Sequence, residues 1–276
     1  MNTQISKEFQ FESLTIPTSL ILDIYKIAKG IGIDAIALVG GIVRDGLLRE
    51  STKDTFVDSK DLDIVIEGSA TELARILKKK LGSNRVKKIN LYHDYNTAEI
   101  MIDGFMVDIA SARKETYMIP GYNPDVKPCL LTEDLKRRDF TINSMALDLT
   151  KMQLIDPYAG KAALATKSLQ FLHSRSVEDD PTRIIRAARY SARFRFNLAP
   201  KDLEQVQSTL ASWPWDWKPG DSFTLAPPAL STRLRMELEK LFSQEDWEVA
   251  LTDLQRWGCL LLLDEYLQED KYLHRR

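Results

Sequence analysis

The chain has 276 residues, 44% hydrophobic and 28% charged, with a net charge of −2, which suits a globular protein that buries a sizeable core as one large domain or two small ones. That balance excludes a general nucleic-acid coat, which needs many cations on one surface, and no apolar run approaches the ~20 residues of a membrane span. Cys129 and Cys259 lie far apart and His93, His173 and His274 form no zinc-like cluster, so any metal is left to carboxylates; the polar start Met1-Asn2-Thr3-Gln4 lacks a secretory layout and points to the cytoplasm.

In chain order, Pro17, a capping Thr18 or Ser19, and apolar Leu20, Ile24, Ile27 and Ala28 predict a helix over 17–29. Residues 35–39 read as a short buried strand ending in Gly40-Gly41, followed by a helix over 43–48. Residues 62–66 form another apolar strand, and Ser69-Ala70-Thr71-Glu72 is a capping box opening a helix that runs to about Leu81, before Gly82. The stretches 86–91, 97–102 and 105–110 alternate as strands, with Asp103-Gly104 as a two-residue hairpin turn. Beyond Pro128 the strand signals fade to a short 153–155, and helical patterns cover 139–148, 180–194, 200–211, 228–242 and 245–257. The architecture changes near 150–170, dividing an α/β part from a helical one. Trp213, Trp215 and Trp217 stand in a Pro- and Gly-containing loop and are expected to seal it onto a core rather than to stack bases.

Several clusters carry chemistry. Gly40-Gly41-Ile42-Val43-Arg44-Asp45 lies at a strand-to-helix turn, where glycines let backbone N–H groups approach a phosphate and Arg44 adds charge; alone, it is also what an ordinary tight turn looks like. Asp61-Leu62-Asp63 sets two carboxylates on one face of a strand, as a magnesium site contacting phosphates requires, although a solvated strand end has the same pattern. Asp108 interrupts an apolar strand, where a charge is costly unless paired or liganded. It either pairs with Arg113 or, if its strand adjoins that of Asp61 and Asp63, completes a three-acid site for two-metal phosphoryl transfer. Arg137 and Arg138 precede a predicted helix with Asp139 as its cap and Asn143 one turn in, and such arginines suit bidentate bonds to a triphosphate or ribose. Arg183, Arg186, Arg189 and Arg193 recur at helical steps and predict one strongly basic face.

Taken in order, these stretches resemble the tRNA nucleotidyltransferase (CCA-adding enzyme) and poly(A) polymerase family, bacterial class II type. Gly40-Gly41-Ile42-Val43-Arg44-Asp45 resembles its glycine–arginine turn and Asp61-Leu62-Asp63 its metal pair. Glu133-Asp134-Leu135-Lys136-Arg137-Arg138-Asp139-Phe140-Thr141-Ile142-Asn143 is close to its second motif, and Asp179-Asp180-Pro181-Thr182-Arg183-Ile184-Ile185-Arg186 resembles its base-selecting helix. Residues 113–124, with Pro120, Gly121 and Pro124, resemble its flexible positioning loop. Two departures stand out: residues 50–60 are longer than usual, and the chain ends at Arg276, short of the family's usual body and tail.

The resemblance implies an α+β fold, with a polymerase-β-like nucleotidyltransferase head (a mixed sheet with helices) over 1–150 and an all-α neck and partial body over 151–276. It implies an enzyme that adds C and/or A nucleotides to the 3′ end of tRNA from CTP and ATP without a template, using two Mg²⁺ ions and releasing pyrophosphate. Asp61 and Asp63 would hold metal, and with Asp108 they would form the catalytic set. Gly40, Gly41, Arg44, Asp45, Arg137, Arg138 and Asn143 would bind the triphosphate and sugar, and Asp180, Arg183, Arg186 and Arg189 the base, protein side chains standing in for a template. The expected partners are the tRNA acceptor end and nucleoside triphosphates, with no membrane and no DNA. CCA, CC-only, A-only and poly(A) addition share these motifs. A poly(A) polymerase acting on varied RNA ends, or a truncated copy that binds RNA or nucleotide without turnover, are the alternatives.

Overall fold

The computed structural model describes residues 14–52 and 61–270. The polar start 1–4, His274 and residues 53–60 of the 50–60 segment lie outside the described residues. Two compact units are present: 1–114 with 126–164, and 115–125 with 165–276. No helix among the described residues is long and apolar enough to cross a membrane.

The first unit contains α1 (Thr18–Lys29), β1 (Ile36–Val39), α2 (Gly41–Thr52), β2 (Asp61–Ile66), α3 (Ala70–Arg85), β3 (Val86–Tyr92), β4 (Thr97–Ile102) and β5 (Phe105–Ser111). Strands β6 (Arg113–Thr116) and β7 (Asp125–Pro128) stand at either end of the 115–125 excursion, and α4 (Leu131–Asp134), β8 (Ala146–Asp148), β9 (Gln153–Ile155) and α5 (Gly160–Ala165) follow. Seven strands form one mixed sheet in the order β3-β4-β5-β2-β1-β8-β9.

Local chemistry explains most of these elements. Ser69 Oγ accepts the Glu72 amide at 3.3 Å and caps α3, which continues past Leu81 to Arg85 with a kink at Gly82. Asp103 and Gly104 take φ of 52° and 86°, the doubly positive turn that joins antiparallel strands such as β4 and β5. Leu62, Ile64, Ile66, Leu73 and Leu77 are fully buried, each burial contributing about 1.5–3 kcal/mol relative to exposure.

One expected helix is absent. Residues 139–148 form a 3₁₀ turn at Thr141–Asn143 and then β8, which pairs antiparallel with β1 through Leu38↔Leu147. Ile142, Met145, Ala146 and Leu147 are buried on every side, and a short apolar run of that kind has no face by which periodicity separates helix from strand. The turn is also crowded. A Cβ on Gly160 would lie 2.4 Å from the Thr141 carbonyl oxygen and 2.8 Å from Met145 Cγ, so only glycine fits there.

The second unit contains β10 (Ser168–Leu169), α6 (Ser176–Asp179), α7 (Thr182–Phe194), β11 (Asn197–Leu198), α8 (Pro200–Ser212), α9 (Thr232–Gln244), α10 (Trp247–Arg256) and α11 (Glu265–Glu269). Helix α7 is its centre, with Ile184, Ile185, Ala187 and Ala188 fully buried and both α9 and α10 packed against it. Trp215 and Trp217 are buried and their indole N–H groups donate to the carbonyls of Glu178 and Ser222, so this loop is sealed onto the unit as its composition led one to expect.

Candidate active site

Strand β2 carries Asp61 and Asp63 on one face, and β5 runs parallel beside it with Asp63 directly opposite Asp108. Neighbouring strands therefore bring two carboxylates together, and Asp61 lies two residues along the same face. Asp108 does not pair with Arg113, whose amide donates to Asp134 and whose guanidinium donates to the Tyr95 carbonyl. Asp108 Oδ1 is buried and has no hydrogen-bond partner. Burial first, and then the charges of Asp63, Glu99 and Asp61, push the Asp108 carboxyl up to about 6. Among the described residues no three His, Cys, Asp or Glu side chains converge closely enough to enclose an ion by themselves.

Gly40 closes the neighbouring corner. It adopts φ 69°, and a Cβ there would stand 3.2 Å from Asp63 Oδ2 and 3.5 Å from an Arg138 guanidinium nitrogen. Glycine thus lets the chain turn into α2 with its backbone against both groups. Gly41 is the first residue of α2. Arg44 points inward: it is 4% exposed, donates to Asn143 Oδ1 at 2.7 Å and pairs with Asp45 at 2.8 Å. Asn143 Nδ2 in turn donates to Asp139 Oδ1 at 2.9 Å. Asp139 therefore does not cap a helix as its position had implied; it receives Asn143 and the adjacent Phe140 amide and ties the 139–143 segment together.

Arg137 and Arg138 follow α4 on a 3₁₀ turn rather than preceding a helix. Fully buried Asp134 holds both, at 2.9 Å to Arg137 Nε and 3.2 Å to Arg138. Desolvation lowers the Arg138 pKa, opposed chiefly by the charge of Asp134. Both arginines line an open pocket of about 340 Å³ together with Asp63, Asp108, Glu99 and Tyr92.

The remaining candidates belong to the second unit. Asp180 lies two residues before α7, with Oδ1 accepting from the Thr182 amide at 3.0 Å and Oδ2 lying 3.2 Å from Arg233. Arg183 approaches His173 Nε2 at 3.5 Å. The basic face expected of α7 is offset by acids. Arg186 lies 3.3 Å from Glu237, buried Arg189 contacts Glu237 and Glu245, and Arg193 bonds to Glu245. Arg235, Lys240 and Arg256 are likewise matched, by Glu239, Glu237 and Asp253.

Three residues of the pocket or its support were given no role from the sequence. Asp134 was detectable from its spacing, three and four residues before the two arginines. Glu99 was detectable by counting back from the Asp103-Gly104 turn, which sets it opposite Asp108. Nothing local marked Tyr92.

Residues 36–170 match the poly(A) polymerase head domain family. The chain is 40% identical over 165 residues to an A-adding tRNA nucleotidyltransferase of Aquifex aeolicus, covering 59% of this chain and 19% of that protein. It is 37% identical over 232 residues to a CC-adding tRNA nucleotidyltransferase of Deinococcus radiodurans, covering 83% of this chain and 55% of that one. Among solved structures it is similar to a tRNA nucleotidyltransferase complexed with a primer tRNA and an incoming ATP analog, with a TM-score of 0.69 and 30% identity, over 87% of this chain and 62% of that one. The chain therefore spans less than two thirds of the length of each of these proteins. The fold is the α+β arrangement expected, a polymerase-β-like mixed sheet with helices followed by helical structure.

Proposed function

The chain belongs to the tRNA nucleotidyltransferase and poly(A) polymerase family, and from that membership we propose that it adds C and/or A nucleotides to the 3′ end of tRNA, taking CTP or ATP and releasing pyrophosphate. The observation that carries this reading is the Asp63↔Asp108 register beside Gly40 and Arg138. It sets carboxylates next to a backbone corner and a cation, the groups a nucleotidyl transfer needs.

The donor set fits magnesium: Asp61 and Asp63 share a strand face, Asp108 adds a buried oxygen without a partner, and magnesium uses few protein oxygens, filling its shell with water and phosphate. Two such ions, when bound, supply Lewis-acid stabilisation of charge on the transferring phosphoryl group. The chain's own residues do the rest. Gly40 lets the backbone pass close against Asp63 and Arg138, and the first turn of α2 from Gly41 offers backbone N–H groups to a phosphate. Arg44, Asp45 and Asn143 hold that turn to the 139–143 segment. Arg137 and Arg138, aimed by Asp134, hydrogen-bond the triphosphate or ribose, and Asp108 orients the acceptor hydroxyl.

Asp180 and Arg183 are assigned to the base. A carboxylate accepts from an exocyclic amino group and a guanidinium donates to a ring nitrogen or carbonyl, a pairing that suits C and A. Arg186 and Arg189, bound to Glu237, brace the helix that carries Arg183.

The test is incorporation of labelled CTP or ATP, with magnesium, into tRNA transcripts lacking CCA or ending in C or CC, resolved at one nucleotide. Limited addition that disappears in the Asp61→Ala Asp63→Ala variant is the expected result, and the acceptor pattern separates CCA, CC and A addition. A long A ladder on any RNA would identify a poly(A) polymerase instead. No incorporation on any acceptor would overturn the transferase reading.

A further inference from the structure

The polar row across the sheet does not end at Asp108. Antiparallel register sets Glu99 opposite Asp108 and Asn90 opposite Glu99, so Asp63, Asp108, Glu99 and Asn90 lie in line across β2, β5, β4 and β3 on one face. The pocket on that face has two unlike walls, Arg137 and Arg138 on one side and Tyr92, Thr97 and Glu99 toward the β3 and β4 edge. The Tyr92 hydroxyl donates to Glu99 Oε2 at 3.0 Å, and Asn90 Nδ2 donates to the same oxygen at 3.0 Å. The ring is thus tethered at its far end, yet Tyr92 remains 45% exposed. It is a flat aromatic surface with a fixed orientation at the rim of a pocket.

Nothing in the reaction derived above uses Tyr92, Glu99 or Asn90. In phosphoryl transfer the attacking and leaving oxygens stand roughly in line, so the acceptor enters opposite the departing pyrophosphate. The arginine wall suits the triphosphate. The opposite wall repels phosphate through Glu99 but offers a ring face to an uncharged base, and base–aromatic stacking tolerates any base.

We propose that Tyr92, held by Glu99 and Asn90, is the platform on which the terminal base of the RNA acceptor stacks, with Glu99 acting as a positioning residue through Tyr92. This rests on the nucleotidyltransferase reading.

The test uses the full chain and its Tyr92→Ala, Tyr92→Trp and Glu99→Ala variants, in steady-state extension of a tRNA transcript ending in CC or C and of the same transcript with an abasic terminal nucleotide. Tyr92→Ala should raise KM for the RNA about tenfold, the scale of one lost stack, with kcat and the nucleotide KM within about twofold. Tyr92→Trp should recover most of the RNA KM lost in Tyr92→Ala, and Glu99→Ala, which removes the acceptor of the Tyr92 hydroxyl and so frees the ring, should raise the RNA KM about threefold. On the abasic acceptor, wild type and Tyr92→Ala should coincide. An unchanged RNA KM in Tyr92→Ala, or an equal rise on the abasic acceptor, would overturn the proposal while leaving the transferase standing. A wild-type chain that extends neither RNA would sink the transferase reading, and this proposal with it.

Discussion

Arg186, Arg189 and Arg193 of α7 each meet a carboxylate of Glu237 or Glu245, whereas in the first unit Asp63, Asp108 and Glu99 stand side by side on adjacent strands. Along α7 the second unit sets charges of opposite sign against one another. On its sheet the first gathers charges of one sign, with a buried Asp108 oxygen that has no partner. Like charges held together raise the free energy of the folded chain, and such an arrangement points to a ligand, whereas a matched network points to packing. A row of arginines along a helix is thus a weaker mark of a binding face than a row of acids across a sheet.

Four outcomes would break or sharpen this contrast. The largest is expected from Asp61→Ala Asp63→Ala. Nucleotide incorporation should fall by roughly three orders of magnitude or more, as when a principal electrostatic element of a site is removed, while the unfolding midpoint stays level or rises. A large drop in the midpoint would make the acids structural. Asp134→Ala should come next. It leaves Arg137 and Arg138 without the fully buried carboxylate that holds them, and about 3–5 kcal/mol of stability should be lost in denaturant unfolding. Glu237→Gln should cost less, about 1–3 kcal/mol, because Glu245 still meets Arg189. If the α7 arginines instead existed to bind nucleotide, that variant would change nucleotide KM and leave unfolding untouched.

The smallest effect concerns Asp202, 3% exposed in α8, which burial pushes up to about 6. Its folded pKa lies above the ordinary value of 3.8, so the native chain holds the proton more tightly than the unfolded chain. Its contribution is therefore most favourable below about pH 4, declines as pH rises toward 6 and is level beyond. Asp202→Asn should remove that part of the slope and raise the urea midpoint at pH 7 more than at pH 4.5. Equal shifts at both pH values would show that the carboxyl does not titrate in this range.

Much of the acidic face of the sheet was legible because its signals are short. Asp61 and Asp63 had to share a strand face, and the Asp103-Gly104 turn set the β4–β5 register, although Glu99 was not read from it. Asp139 was misjudged for the opposite reason. The pattern made it the cap of a helix, and only the meeting of α2 with the 139–143 turn shows Asn143 bonded between it and Arg44.

The sequence alone determined what depends on neighbours a few residues away: the Ser69 cap, the Asp103-Gly104 turn, strand alternation and the spacing of the α7 arginines. The tertiary structure decided what depends on segments far apart in the chain. It made 146–148 a strand against β1, laid β2 parallel to β5 so that Asp63 faces Asp108, and brought Glu237 and Glu245 to arginines some fifty residues earlier. Capping, turns and propensity act through local hydrogen bonds and sterics. Burial and charge pairing are settled only when the fold chooses which surfaces meet.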